Sequence, residues 1–276
     1  MAIREAFGRD GTSLVYRVSG DPTARPLVLV HGWAQNSACW GDELLADLAA
    51  RYRVIAVDLR GHGYSGAPES GYDDSALWAG DLHAVLQQEG VVSGAVLLGW
   101  SYGGLVLCDY LSVHGTAAVA GVVFVGAITS IGRGKPGGTV GSAMRAAIPG
   151  VMSEDARVAI RALGSFGTAL TGPDASGVAT QALFGTSLAT RPRVRSAVFA
   201  REVDHDATLR ALDVPTLVLH GTADTVVDVA AGRHTASLVP DATTSWWEGT
   251  DHGPFVADPA RFLAETTVFT DALGRP

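Results

Sequence analysis

Lysine is almost absent from this chain. Lys135 is the only one, and the other basic side chains are arginines scattered along 276 residues against 28 acidic ones. A net charge of −8 with no basic cluster excludes a phosphate-backbone binder, which needs a concentrated positive face. Cysteine is scarce too. Cys39 and Cys108 are too few for a disulfide framework and lack metal-ligand spacing, so both read as packing residues, Cys108 inside a buried helix. Long hydrophobic runs are also missing: Val119 to Ile128 is strand-length and interrupted by glycine, well short of the roughly eighteen residues of a spanning helix. Met1 to Ala6 holds no basic segment followed by an apolar one, as a secretory signal would. The expectation is a soluble, cytoplasmic protein whose partner is a small molecule, not nucleic acid or a membrane.

What the chain does have is enough apolar sequence for one sizeable core, with 47% hydrophobic and 17% charged residues. Arg4 to Arg9 and Ser13 to Val18 flank a turn at Asp10-Gly11 and read as a hairpin. Pro26 to Val30 is then apolar at every position, as a strand buried on both faces must be. Similar runs recur at Arg53 to Val57, Ala95 to Leu98, Gly121 to Val125 and Thr216 to Leu219. Helical spacing lies between them at Glu43 to Ala50, Ser75 to Gln88, Gly104 to Val113 and Val229 to Val239. This alternation predicts an α/β protein with a parallel sheet covered on both sides.

One stretch breaks the rhythm. Residues 129–203 contain no buried-strand run, only short helical patterns at Thr139 to Ile148, Ser153 to Leu163, Ala175 to Phe184 and Arg193 to Val203. So long a link between two strands of one sheet predicts a helical insertion over one end of it, entered through the glycine-rich Ile131 to Gly138. The core is then 1–128 with 204–276, and the cap 129–203.

The strand at Ala95 to Leu98 runs into Gly99-Trp100-Ser101-Tyr102-Gly103, with a helix directly after. This G-x-S-x-G spacing, between strand and helix, is that of a nucleophile elbow. The serine needs strained backbone angles there, and side chains at 99 and 103 would clash. A serine hydroxyl also needs a base, and the base an orienting group. Of eight histidines, His252 is the candidate base, in a loop after the strand candidate Thr243 to Trp247. His83 and His114 read as surface residues on helices; His205 and His234 lie outside strand ends, and His220 ends a strand. Asp224 follows the strand Thr216 to Leu219 at the carboxyl end of the sheet, where ligands of open α/β sheets bind. It is the candidate acid, with capping of a helix near Val226 as its structural alternative; Asp251 reads as structural. The order Ser101, Asp224, His252 is that of the G-x-S-x-G hydrolases. Backbone N–H groups of Tyr102 and of Trp33, in the turn His31-Gly32-Trp33, are the candidate oxyanion donors, and His31 braces that turn.

These features, together with Asp58-Leu59-Arg60-Gly61-His62-Gly63-Tyr64-Ser65, resemble the α/β-hydrolase superfamily over essentially the whole chain. The resemblance implies an eight-stranded, mostly parallel sheet with a helical cap after the sixth strand. Within the superfamily, His31-Gly32-Trp33 and His114 to Val119 look most like the cofactor-free haloperoxidase and arylesterase branch. Ala34 stands where that branch often has proline, and Trp100 and Tyr102 flank the serine where it more often has smaller or unbranched neighbours, which favours ester or lactone hydrolysis over peroxide chemistry. The expected enzyme is a carboxylic-ester hydrolase using no metal or organic cofactor, with Trp33, Met144 and Phe166 as candidate substrate contacts. Carbon–carbon bond hydrolysis by the same triad, perhydrolysis, and ligand binding without catalysis are the alternatives. Cyanohydrin cleavage is disfavoured by Gly253 after His252, where that branch has lysine; haloalkane or epoxide opening needs aspartate in place of Ser101.

Overall fold

The computed structural model describes residues 1–274. Eight strands form one sheet: β1 (Ala2–Phe7), β2 (Ser13–Ser19), β3 (Pro26–Val30), β4 (Arg53–Val57), β5 (Ala95–Trp100), β6 (Val119–Val125), β7 (Thr216–Gly221) and β8 (Thr243–Trp247). Their spatial order is β1-β2-β4-β3-β5-β6-β7-β8. The first hairpin pairs antiparallel with itself and with β4, and every later pairing is parallel. The runs that read as doubly buried strands lie in the middle of this sheet. Val28 and Leu29 are sealed on β3, and every residue of β5 is buried, because helices cover both faces.

Helices α1 (Asp42–Ala49), α2 (Ser75–Gln88) and α3 (Tyr102–His114) connect the first parallel strands. Asp74 starts α2 by accepting from the Ala76 N–H at 2.8 Å. Between β6 and β7 come α4 (Ser142–Val151), α5 (Ala156–Thr171), α6 (Gly177–Ala189), α7 (Pro192–Phe199) and the short α8 (Asp206–Arg210). After β7 follow α9 (Val229–Leu238), α10 (Pro254–Ala257) and α11 (Pro259–Ala272). No helix among the described residues is long and apolar enough to cross a membrane.

Three expectations need correction. The stretch 129–203 does hold strand: Ser130–Ile131 pairs antiparallel with Val203–Asp204 and closes the base of the α4–α7 segment. Two residues are too few to show a period, and the partner lies far off in sequence. The helix expected at Ser153 to Leu163 runs from Ala156 to Thr171, because Asp155 caps it by accepting from the N–H groups of Arg157 and Val158 at 2.9 and 3.0 Å. His83 and His114 are half-buried, not surface side chains; their rings stack at 4.1 Å, and Tyr110 packs beside them.

Candidate active site

The parallel strands β3, β5 and β7 end in turns that carry Trp33, Ser101 and Asp224, and His252 lies in the loop after β8. At the end of β5, Ser101 has φ 56° and ψ −120°, a backbone that side-chain-bearing residues rarely adopt. The turn holds because the residues two positions to either side, Gly99 and Gly103, carry no side chains. A methyl at Gly103 would meet the Val30 carbonyl oxygen at 2.2 Å, and one at Gly99 would meet the Gly103 backbone at 2.7 Å. The Ser101 carbonyl accepts from Gly104 and Ile128 N–H groups at 3.0 and 3.1 Å, which fixes the strained residue from two directions. Helix α3 starts at Tyr102, so its unpaired N-terminal N–H groups and positive dipole end lie beside the Ser101 hydroxyl.

After β7, Asp224 is bound through both oxygens. Oδ1 accepts from the N–H groups of Val226 and Val227 at 2.8 and 2.9 Å, and Oδ2 stands 2.7 Å from His252 Nδ1. The structure sets this aspartate against His252 and has it close the Val226–Val227 turn; it caps no helix there, since α9 begins only at Val229, not near Val226. Burial pushes the Asp224 carboxyl up, yet the facing His252 and hydrogen bonds from His220 and His252 outweigh it and hold the carboxyl well below the usual carboxylate range. A carboxylate accepts, so His252 carries its proton on Nδ1 and leaves the Nε2 lone pair free. The Trp100 indole N–H donates to the His252 carbonyl at 2.9 Å and ties the His252 loop to the strand that precedes Ser101. No hydrogen bond joins Ser101 Oγ to His252 Nε2 here, and neither atom is sealed without a partner; contacts of this kind tighten when substrate arrives. Asp251 points away, toward Gly172 at the end of α5.

After β3, Gly32 brings its turn against the elbow: a methyl there would sit 3.0 Å from Ser101 Cβ. His31 braces this turn, with Nδ1 2.8 Å from the Gly32 carbonyl and Nε2 accepting from the Leu59 N–H at 3.0 Å. Burial pushes its imidazole down to about 4, so it stays neutral. Neither the Trp33 nor the Tyr102 N–H has an acceptor among the described residues.

Helices α5–α7 rest on these turns. The Trp33 indole N–H donates to the Arg195 carbonyl at 3.0 Å, and Phe166 and Phe199 meet its ring edge-on at 6.1 and 6.2 Å. The Gln35 amide donates to Ser187 Oγ at 2.7 Å, and the Tyr102 hydroxyl to the Val198 carbonyl at 3.1 Å. Phe166 is thus brought to the Trp33 turn. Met144 is buried, and its N–H reaches the Thr225 carbonyl at 3.3 Å, next in sequence to Asp224.

Several residues at the site were not singled out from sequence. Arg201 is sealed and reaches the Tyr102 hydroxyl at 3.1 Å and both oxygens of Asp109 at 2.9 Å, while His205 Nε2 stands 2.9 Å from the same carboxylate. Nothing local marks that cluster, whose members come from α3 and from the loop positions on either side of Val203–Asp204. His220 also lies against the site, 3.1 Å from Asp224 Oδ2. Its spacing four residues before the candidate acid was the available signal.

The chain is similar to known proteins over most of its length. The family model described as "Alpha/beta hydrolase family" matches residues 27–265. A crystal structure of an esterase from Rhodococcus sp. ECU1013 shares 68% identity, with a TM-score of 0.98 over 99% of this chain and 100% of that one. A non-heme haloperoxidase from Rhodococcus erythropolis is 34% identical over 88% of this chain and 90% of its own length. A non-heme chloroperoxidase from Kitasatospora aureofaciens is 32% identical over 89% and 90%. With its sheet order, its elbow and a family match across most of its length, the chain belongs to the alpha/beta hydrolase family.

Proposed function

We propose that this enzyme is a carboxylic-ester hydrolase that cleaves an ester or lactone of a small, largely apolar substrate through an acyl-enzyme on Ser101. The observation that carries the proposal is the 2.7 Å contact of His252 Nδ1 with the buried Asp224 carboxylate, on the loop tied to the strand bearing Ser101. His252 Nε2 takes the Ser101 proton as Oγ attacks the ester carbon, and Asp224 stabilises the imidazolium that forms. The carbonyl oxygen, now negative, is received by the N–H groups of Trp33 and Tyr102. Collapse of the intermediate expels the alcohol, which takes the proton from His252. Water then attacks the acyl-enzyme with His252 again as base, releasing the acid and restoring Ser101.

In this reading residues 129–203 act as a lid, and Trp33 and Phe166 line the acyl side with Met144 opposite. What supports the lid is the set of contacts that α5–α7 make with Trp33, Gln35 and Tyr102. The reaction runs in the cytoplasm on a small molecule.

A second reading shares the acyl-enzyme. Relatives of this chain are named non-heme haloperoxidases, and hydrogen peroxide in place of water would release a peracid from the same intermediate. Turnover of a p-nitrophenyl ester series by the parent and a Ser101→Ala variant tests the main reading. Hydrolysis by the parent that is lost in the variant is expected; equal turnover contradicts it. Peracid formation from acetate and peroxide, measured alongside, decides the second reading.

A further inference from the structure

A second imidazole faces the acid of the site. His220, in β7, is fully sealed, and its Nε2 stands 3.1 Å from Asp224 Oδ2 and 3.0 Å from the Val227 carbonyl. Both neighbours accept hydrogen bonds, so Nε2 must carry the hydrogen and share it between them. Nδ1 is sealed without a partner and lies against α9, where a methyl on Gly232 would meet it at 2.4 Å. A proton there would put an unpaired donor and a charge into a dry site, so geometry selects the neutral Nε2–H tautomer.

We propose that His220 is a positioning residue that tunes the base strength of His252 through the shared Asp224 oxygen. This rests on the triad reading above. With His220 in place, the Asp224 carboxylate receives two backbone N–H groups on Oδ1 and two imidazoles at Oδ2, which fills its acceptor sites. A carboxylate with all four donors offers less charge to any one of them. Without His220 the carboxylate grips the His252 imidazolium more tightly, and the base gives up its proton less readily. Other ionisable groups nearby leave this pairing intact. Asp251 is the further carboxyl that feels Asp224, and it points to Gly172. On α9, Arg233 lies over the Trp246 ring and His234 is 2.9 Å from Asp206.

The test is the pH profile of kcat/KM on a p-nitrophenyl ester. His220→Leu should move the acidic limb to higher pH by about half a unit to one unit and lower kcat by about tenfold or less, with KM little changed. His220→Gln, whose amide N–H can reach Oδ2, should return the limb toward that of the parent. A limb unmoved in His220→Leu, or moved equally in His220→Gln, overturns the proposal. Long-range proton–nitrogen spectra of the unaltered enzyme are decisive even if the leucine variant does not fold: the Nε2–H tautomer is expected at His220, and the Nδ1–H tautomer overturns the proposal. Asp224→Asn run in parallel separates the two levels of the argument. If it keeps full turnover, the triad reading is what fails; if it loses turnover while the His220 variants keep the parent's limb, only the role of His220 fails.

Discussion

The Tyr102 hydroxyl donates to the Val198 carbonyl at 3.1 Å, so the residue after the elbow serine is tied directly to the last turn of α7. Arg201 donates to the same hydroxyl at 3.1 Å and grips Asp109 of α3 through both carboxylate oxygens. The two bonds differ in what their loss exposes. Tyr102→Phe removes one neutral hydroxyl and should cost about 1–2 kcal/mol of unfolding free energy. Arg201→Leu leaves the sealed Asp109 carboxylate with the His205 ring as its remaining side-chain hydrogen-bond partner, and should cost about 3–5 kcal/mol. Urea unfolding of the two variants measures both. Equal losses would mean that the buried ion pair does not anchor this end of the segment.

A second prediction concerns acid. Burial holds the imidazole of His31 down to about 4 and that of His62 to about 3, the latter also repelled by His31. In the unfolded chain both titrate near ~6.5. Between these values the unfolded state binds protons that the native state refuses, so stability falls as pH drops through that window and levels off only below the folded values. From about pH 7 to about pH 5 the loss is roughly 2 kcal/mol for each imidazole. The urea midpoint should move down accordingly. An unchanged midpoint across that range would show that the His31–Trp33 turn and the Asp58–Ser65 loop open to water in the native state.

The third prediction separates the two cap side chains. Phe166 meets the Trp33 ring at 6.1 Å, whereas Met144 sits by the Asp224 turn. Phe166→Leu should therefore change the butyrate-to-acetate preference of p-nitrophenyl ester hydrolysis by about tenfold, the scale of one or two methylenes in an apolar pocket. Met144→Leu should move it by less than about twofold. A larger effect at Met144 would put the acyl group on the wrong side of Ser101.

Which parts of this architecture were legible beforehand follows from how local their causes are. β3 and β5 could be read because strands covered on both faces must be apolar at every position, and the elbow because its glycines and serine are consecutive. Asp224 was legible as a strand-end acid, although not as the closer of the Val226–Val227 turn. His205 is a loop residue, and only the fold brings Asp109, from the middle of α3, to its ring. His83 and His114 cover each other for the same reason: stacking depends on the crossing of α2 and α3, which neither helix's periodicity encodes. The short ribbon at Ser130–Ile131 has no signal of its own, since its pairing with Val203–Asp204 is set by the segment it closes.

Ser101 is expected to react as an activated nucleophile. A fluorophosphonate probe followed by peptide mass analysis tests it most directly, because the reagent needs the serine, its base and the oxyanion donors together. The folded enzyme should gain a single adduct on the peptide that contains Ser101, His252→Ala should react far more slowly, and heat-unfolded protein should not react. An adduct on another residue, or labelling that survives Ser101→Ala, would mean that Ser101 is not the nucleophile.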